Sequence, residues 1–225
     1  MGLKMVNILY IHGMGGGGDS RIPSILQECL AAVHGSHDAG LSGRVCLTVR
    51  TYDFDPEIAA GQIRGWVEEL KPSLVIGESL GALQALRVRG VPLLFVSPAL
   101  NAPLYFEFLA WLSLIPGVTW LFDRIYKPRD GDRQRLHFSH RILRKYMRHR
   151  SLALENSPRA GAEGIFHAFI GIRDHYRKSG IVSVRTWKKY FGDTFSVYDG
   201  SHFMEDDFVR TVLFERMLEV LEINK

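Results

Sequence analysis

Three residue types set far apart in the chain can together perform acyl transfer: Ser79, His202 and an aspartate, with Asp174 the leading candidate. A hydroxyl at its free pKa is a weak nucleophile. It needs a histidine to take its proton, and the histidine needs a carboxylate to fix its tautomer. Ser79 lies in Gly77-Glu78-Ser79-Leu80-Gly81, after the apolar run Leu74-Val75-Ile76 and before the helical pattern ALQALRVRG. A serine on a sharp strand-to-helix turn is strained so that its oxygen stands clear, and glycines two residues to either side let neighbouring chain pass. The N–H of Leu80 then faces a developing oxyanion from the start of a helix. The plain alternative is a tight packing turn whose Ser79 merely caps its helix.

His202 stands in Tyr198-Asp199-Gly200-Ser201-His202-Phe203, just past the last apolar run, where small residues let a loop swing back over a sheet. Asp174 follows the run Phe169-Ile170-Gly171-Ile172-Arg173. Asp199 is its rival, at the cost of an awkward reach back from so near His202. Asp206 and Asp207 read as charges that start the final helix. His137, His140 and His149, set among arginines, read as solvent-facing, and His167 as a core histidine within a strand. Glu78 reads as lying outside the triad, with a charge that biases which substrates the site accepts.

A second oxyanion donor is expected where ILYIHGMGGGGDS breaks into glycines: the N–H of Met14 in His12-Gly13-Met14. Gly13, Gly15 and Gly18 also satisfy G-x-G-x-x-G. A dinucleotide site needs an acidic residue about 20 positions further on, at the end of the next strand. The first acidic residue after that strand is Asp53, much too far along. A nucleotide-binding enzyme built on residues 13–18 stands as one alternative, and a catalytically silent fold that binds a ligand or a partner protein as another.

The elements that must position these residues follow from periodicity. Residues 6–11, 45–51, 73–77, 92–97, 165–171 and 194–198 read as short buried strands, and 21–34, 56–70, 80–89, 179–191 and 206–222 as helices. Their alternation predicts an α/β fold: a mainly parallel sheet of about six strands flanked by helices on both faces. The alternation lapses over about residues 100–163, too long and too apolar for a loop. This predicts one domain over 1–225 with a helical cap inserted there. Two cysteines, Cys29 and Cys46, give neither a metal spacing nor a disulfide framework. No metal site is expected. With no secretory signal legible after Met1, the expected compartment is the reducing cytoplasm.

The chain resembles the α/β-hydrolase superfamily and, within it, is similar to small bacterial YqiA-like esterases. The matching stretches are ILYIHGMG, VIGESLG, VSPALNAP, GIRDHY and DGSHFM, which together span nearly the whole chain except the cap. The resemblance implies carboxylic-ester hydrolysis with no cofactor, with Ser79 as nucleophile, Asp174 as acid, His202 as base, and Met14 and Leu80 as oxyanion donors. Glu78, where a small or polar residue is expected, and the longer arginine-rich cap depart from that pattern.

Residues 104–122 approach the length of a membrane span, but Glu107 and Pro116-Gly117 interrupt them. They read instead as two apolar cap helices facing the nucleophile. Phe108 and Trp111, with His12 and Glu78, are thus the expected substrate-pocket residues for a small acyl ester. Residues 120–151 carry ten Lys or Arg against three Asp, although the whole chain is only +4. The stretch from Arg133 to Arg150 reads as an amphipathic helix through Leu136, Ile142, Leu143 and Tyr146. Its arginines form a solvated face or a contact for anionic substrate or lipid headgroups; a nucleic-acid partner is not expected.

Overall fold

The computed structural model describes residues 5–34, 45–128 and 130–223. Residues 1–4, where a leader would begin, lie outside the described residues, as does Arg129 of the basic stretch. Among the described residues, β1 (Val6–Ile11), β2 (Val45–Val49), β3 (Leu74–Glu78), β4 (Leu93–Val96), β5 (Phe166–Gly171) and β6 (Phe195–Tyr198) form one sheet. The strand order is β2-β1-β3-β4-β5-β6, and every neighbouring pair is parallel.

Side chains alternate across the sheet, and each face has its own core. Leu9 and Ile11 pack with Ile63, Leu83 and Trp187 on one face. Ile8 and Tyr10 pack with Leu26, Met217 and Leu221 on the other. The first face is covered by α2 (Pro56–Leu70), α3 (Gly81–Ala85) and α8 (Val184–Phe191), the second by α1 (Arg21–His34) and α9 (Phe214–Ile223). Asp55 starts α2 by accepting the Glu57 N–H at 3.0 Å, with Pro56 in the first turn.

Between β4 and β5 the chain inserts α4 (Ala102–Leu112), α5 (Val118–Ile125) and α6 (His140–Leu154). The turn between α4 and α5 falls at Gly117, whose φ of +85° lies in the left-handed region that glycine tolerates best. None of the described helices is long and apolar enough to cross a membrane.

Four local expectations are corrected. The basic stretch is not helical from Arg133; α6 begins only at His140, after Ser139 in extended geometry. Residues 133–139 instead run without helix, and Gln134 and Phe138 are buried. The helix expected over 179–191 is broken, because Gly180 (φ +79°) ends α7 (Tyr176–Ser179) and the Ser183 hydroxyl accepts the Thr186 N–H at 3.2 Å to start α8. The helix after Ser79 is short, and Asn156 closes its end by donating to the Leu86 and Val88 carbonyls at 3.0 and 2.8 Å. His149 faces the interior rather than solvent, at 3 % exposure.

Burial pushes the His149 imidazole down to about 4 from its ordinary 6.5, with Arg87 adding to the effect, and burial does the same to His12. Both are therefore neutral in the fold at pH 7, whereas in the unfolded chain they take up protons near 6.5. Stability is then complete above about 6.5 and falls as the pH drops toward 4, because the unfolded state binds more protons in that window. The urea midpoint of the wild type should decline between these values, and His149→Gln should flatten part of that decline. An unchanged slope in His149→Gln would contradict the burial argument.

Candidate active site

The site begins at the end of β3. Ser79 has a φ of +49°, a left-handed conformation that is costly for a residue with a side chain. It is held there by three main-chain hydrogen bonds: its N–H donates to Val96 O at 2.9 Å, and its carbonyl accepts the Ala99 and Ala82 N–H groups at 3.0 and 3.2 Å. The two flanking glycines are required by close packing. A Cβ on Gly77 would lie 2.7 Å from that of Ala85, and one on Gly81 would collide with the His12 and Ile11 carbonyls.

Two loops at the same edge of the sheet bring the histidine and the acid to this turn. The His202 ring lies with Nε2 2.8 Å from Ser79 Oγ and Nδ1 2.8 Å from Asp174 Oδ2. An ionised carboxylate can only accept, so Nδ1 carries the proton and Nε2 is left to accept from the hydroxyl. Asp174 and His202 are each 3 % exposed. Burial alone would raise the Asp174 pKa. Its bonds to His202 and to the Tyr176 N–H (2.8 Å to Oδ1) outweigh this and leave it below the usual carboxylate value.

The two loops are packed against each other without room for a side chain at Gly171, where a Cβ would strike the Gly200 carbonyl. The Glu205 carboxylate accepts the Ser201 N–H at 3.0 Å and fixes the turn into His202. Asp199, the rival acid, does not approach the imidazole. Its side chain is 69 % exposed and pairs with Arg173 at 3.1 Å.

The glycine-rich loop presses on the same serine: a Cβ on Gly13 would sit 3.1 Å from Ser79 Cβ. Its amides are mostly spent on the protein. Gly15 N–H donates to Gln134 Oε1 (3.1 Å), Gly16 to Gly13 O (3.0 Å), Gly17 to Ser20 Oγ (2.9 Å), and Gly18 to Asp132 Oδ2 and Thr51 Oγ1 (both 3.2 Å). A pyrophosphate would find these donors occupied and the Asp132 carboxylate in its way. By contrast, the N–H groups of Met14 and Leu80 make no hydrogen bond among the described residues. The glycines at 17 and 18 have a packing reason, since a Cβ on either would collide with Asp132.

His12 and Glu78 diverge from their shared expectation. His12 does not line the cleft. It is buried, stacks on Tyr52 at 4.3 Å, donates from Nδ1 to Gly13 O at 2.8 Å, and accepts the Tyr52 hydroxyl on its carbonyl at 2.6 Å. It braces the loop from below. Glu78 does line the cleft and accepts the Tyr10 hydroxyl at 2.9 Å.

A cleft of about 570 Å³ opens above Ser79, within the range of small-molecule sites. Its apolar wall includes Ile22, Ala102, Phe106, Ile181 and Phe203. Phe108 and Trp111, the expected pocket residues, are on the other side of α4, exposed by 65 % and 60 %. Phe106, two positions earlier, takes the inward place, because the buried face of α4 is Ala102, Pro103, Phe106 and Ala110. Arg21 and Arg133 also border the cleft, each beside an acid, Asp206 and Asp19 respectively.

Gln134 joins the site from outside every expected position. It is 1 % exposed and spans three partners: its N–H donates to Gly16 O (2.7 Å), its Oε1 accepts from Gly15, and its Nε2 donates to Asp53 O (3.3 Å). A lone glutamine among arginines carries no local signal of that role. Gln134→Ala should destabilise the fold by about 1–3 kcal/mol, the cost of leaving buried polar groups unpaired. It should also speed amide hydrogen exchange at Gly15 selectively over that in β3. Unchanged exchange at Gly15 would show that the clamp is not what holds the loop.

No protein-family model and no curated protein matches the chain. Solved structures do. The chain is similar to a monoacylglycerol lipase of Paleococcus ferrophilus, with 15 % identity, a TM-score of 0.59, and coverage of 96 % of this chain and 95 % of that one. It is similar to Est1E of Butyrivibrio proteoclasticus, solved with ferulic acid bound, with 16 % identity, a TM-score of 0.61, and coverage of 97 % and 90 %. It is also similar to a bromoperoxidase of Bacillus anthracis, with 12 % identity, a TM-score of 0.57, and coverage of 97 % and 92 %. Identities this low speak to architecture and not to chemistry. The chain has the α/β-hydrolase fold.

Proposed function

We propose that this protein is a serine hydrolase that cleaves carboxylic esters, in the manner of the YqiA-like esterases it resembles. The observation that carries the reading is the unbroken hydrogen-bonded line Asp174–His202–Ser79, with both links at 2.8 Å, at the floor of a cleft beside two unspent N–H groups. The lipase and the ferulate-binding Est1E among the similar structures support it at the level of fold.

In this reading Ser79 Oγ attacks the ester carbonyl while His202 Nε2 takes its proton. The oxygen of the tetrahedral intermediate gains its charge beside the Met14 and Leu80 N–H groups, which are already oriented and need no reorganisation. Collapse breaks the bond to the alcohol, which leaves with the proton from His202. Water then attacks the acyl-enzyme, giving its proton to His202, and the acid departs as Ser79 regains its hydrogen. Asp174 accepts the hydrogen bond from the Nδ1–H throughout and stabilises the imidazolium formed in each half-reaction. Every proton and charge in this cycle is handled by the chain's own groups.

The insertion over about residues 100–163 acts as a cap on a single hydrolase domain and supplies Phe106 to the acyl side of the cleft. A silent ligand-binding relative would have no need for a serine strained to φ +49° and aligned with a buried histidine–carboxylate pair. This favours catalysis over the silent alternative. The occupied glycine-loop amides weigh in the same way against nucleotide binding.

Turnover of a neutral short-chain nitrophenyl ester tests the assignment. Asp174→Asn should retain the fold and lose up to about 10⁴-fold in kcat, because His202 then holds the wrong tautomer. Asp199→Asn should stay near wild type. The opposite pattern, with Asp199→Asn inactive and Asp174→Asn active, would overturn the assignment of the acid.

A further inference from the structure

The apolar helices of the insertion are turned inside out. α4 buries Ala102, Pro103, Phe106 and Ala110, three of them small, and exposes its larger apolar side chains. α5, with the sequence VTWLFDRI, buries no residue at all. Phe108 (65 %), Trp111 (60 %), Leu114 (56 %), Ile115 (54 %), Trp120 (63 %) and Ile125 (62 %) are each more than half exposed. Scattered exposed apolar residues are ordinary, but six large ones within two short consecutive helices are not. Such a surface marks an interaction site.

The charges around it select the partner. The two acids of the α4–α5 segment are engaged by the insertion itself: Glu107 pairs with Arg144 at 2.6 Å, and Asp123 accepts from the Phe138 N–H at 2.8 Å and is hydrogen-bonded to His137 Nδ1 at 2.7 Å. Arg124 and Lys127 have no acidic partner among the described residues, and the Arg124 guanidinium lies over the Trp120 ring at 5.4 Å. The surface is therefore apolar, carries interfacial tryptophans, and is edged by free cations. That is the composition of a segment that lies in the headgroup boundary of an anionic bilayer, where apolar insertion and charge attraction act together. A second copy of the chain would bring the same cations face to face.

We propose that the α4–α5 segment is a membrane-surface docking site for bilayers bearing anionic lipid headgroups, holding the protein on the membrane without crossing it. Phe106 on the inner face of α4 lines the cleft, so the helix that docks is also one that walls the cleft. Docking depends on the exposed face of α4 and α5 and not on the chemistry assigned to Ser79.

Co-sedimentation of the full chain with vesicles tests it, using phosphatidylcholine alone and phosphatidylcholine with a third of the lipid replaced by phosphatidylglycerol. The wild type should pellet with the anionic vesicles more than with the neutral ones, and less as salt rises. Trp111→Ala and Trp120→Ala should each lower partitioning about tenfold on both vesicle types, since each removes inserted apolar surface. Arg124→Gln and Lys127→Gln should each lower it about fivefold on anionic vesicles only. Ser79→Ala should bind as wild type does, which separates this result from any failure of the esterase reading. Absence of pelleting with either vesicle would overturn the proposal. So would a wild-type dimer in sedimentation velocity that Trp111→Ala dissolves while vesicle binding stays unchanged, for a second copy would then cover the face.

Discussion

The site depends on how little room there is beside the β3–α3 turn. Gly81 lies against the His12 and Ile11 carbonyls, and Gly77 lies against α3, so the chain cannot carry a side chain at either point. Ser79 is forced into the left-handed region between them and is locked there by hydrogen bonds to Val96 and Ala99. The same closeness brings the end of β1 to the serine. Relaxing the turn would therefore move the hydroxyl and the Met14 N–H together. Strain of this kind, of order 1–3 kcal/mol, persists only where the surroundings over-determine it, and here strands on both sides do so.

Around that turn, polar groups are spent on position rather than left for ligands. His12 is held neutral by burial and ties its own loop to Tyr52 and Gly13. Asp132 and Gln134 reach back from the insertion to occupy the loop amides. Met14 and Leu80, whose N–H groups make no hydrogen bond among the described residues, line the cleft. The insertion thus does two things at once, fastening the loop through residues 132–134 and walling the cleft through Phe106.

Much of this was legible in the sequence, and the reasons are physical. Strand runs buried on both faces have a strong, short apolar signature, and all six expected runs correspond to strands of the sheet. The positions of Ser79, Asp174 and His202 could be read because each follows such a run at the edge where loops gather. What could not be read depends on tertiary contact. Phe106 and Phe108 are the same residue type two places apart, and only the packing of α4 on α6 decides which turns inward. His149 looked solvated because its neighbours are arginines, but helical period places it with Leu143 and Tyr146 on the buried face. Gln134 has no local pattern, since its role exists only once a distant glycine loop lies against it.

Ester cleavage in this cleft requires Ser79 to be a nucleophile, and a fluorophosphonate probe reads that directly. Mass-spectrometric mapping after labelling of the folded protein should place a single adduct on Ser79. The adduct should be absent from Ser79→Ala and strongly slowed in His202→Ala, because the hydroxyl then has no base. A folded wild type that takes no label, or that carries it on another residue, would contradict the account.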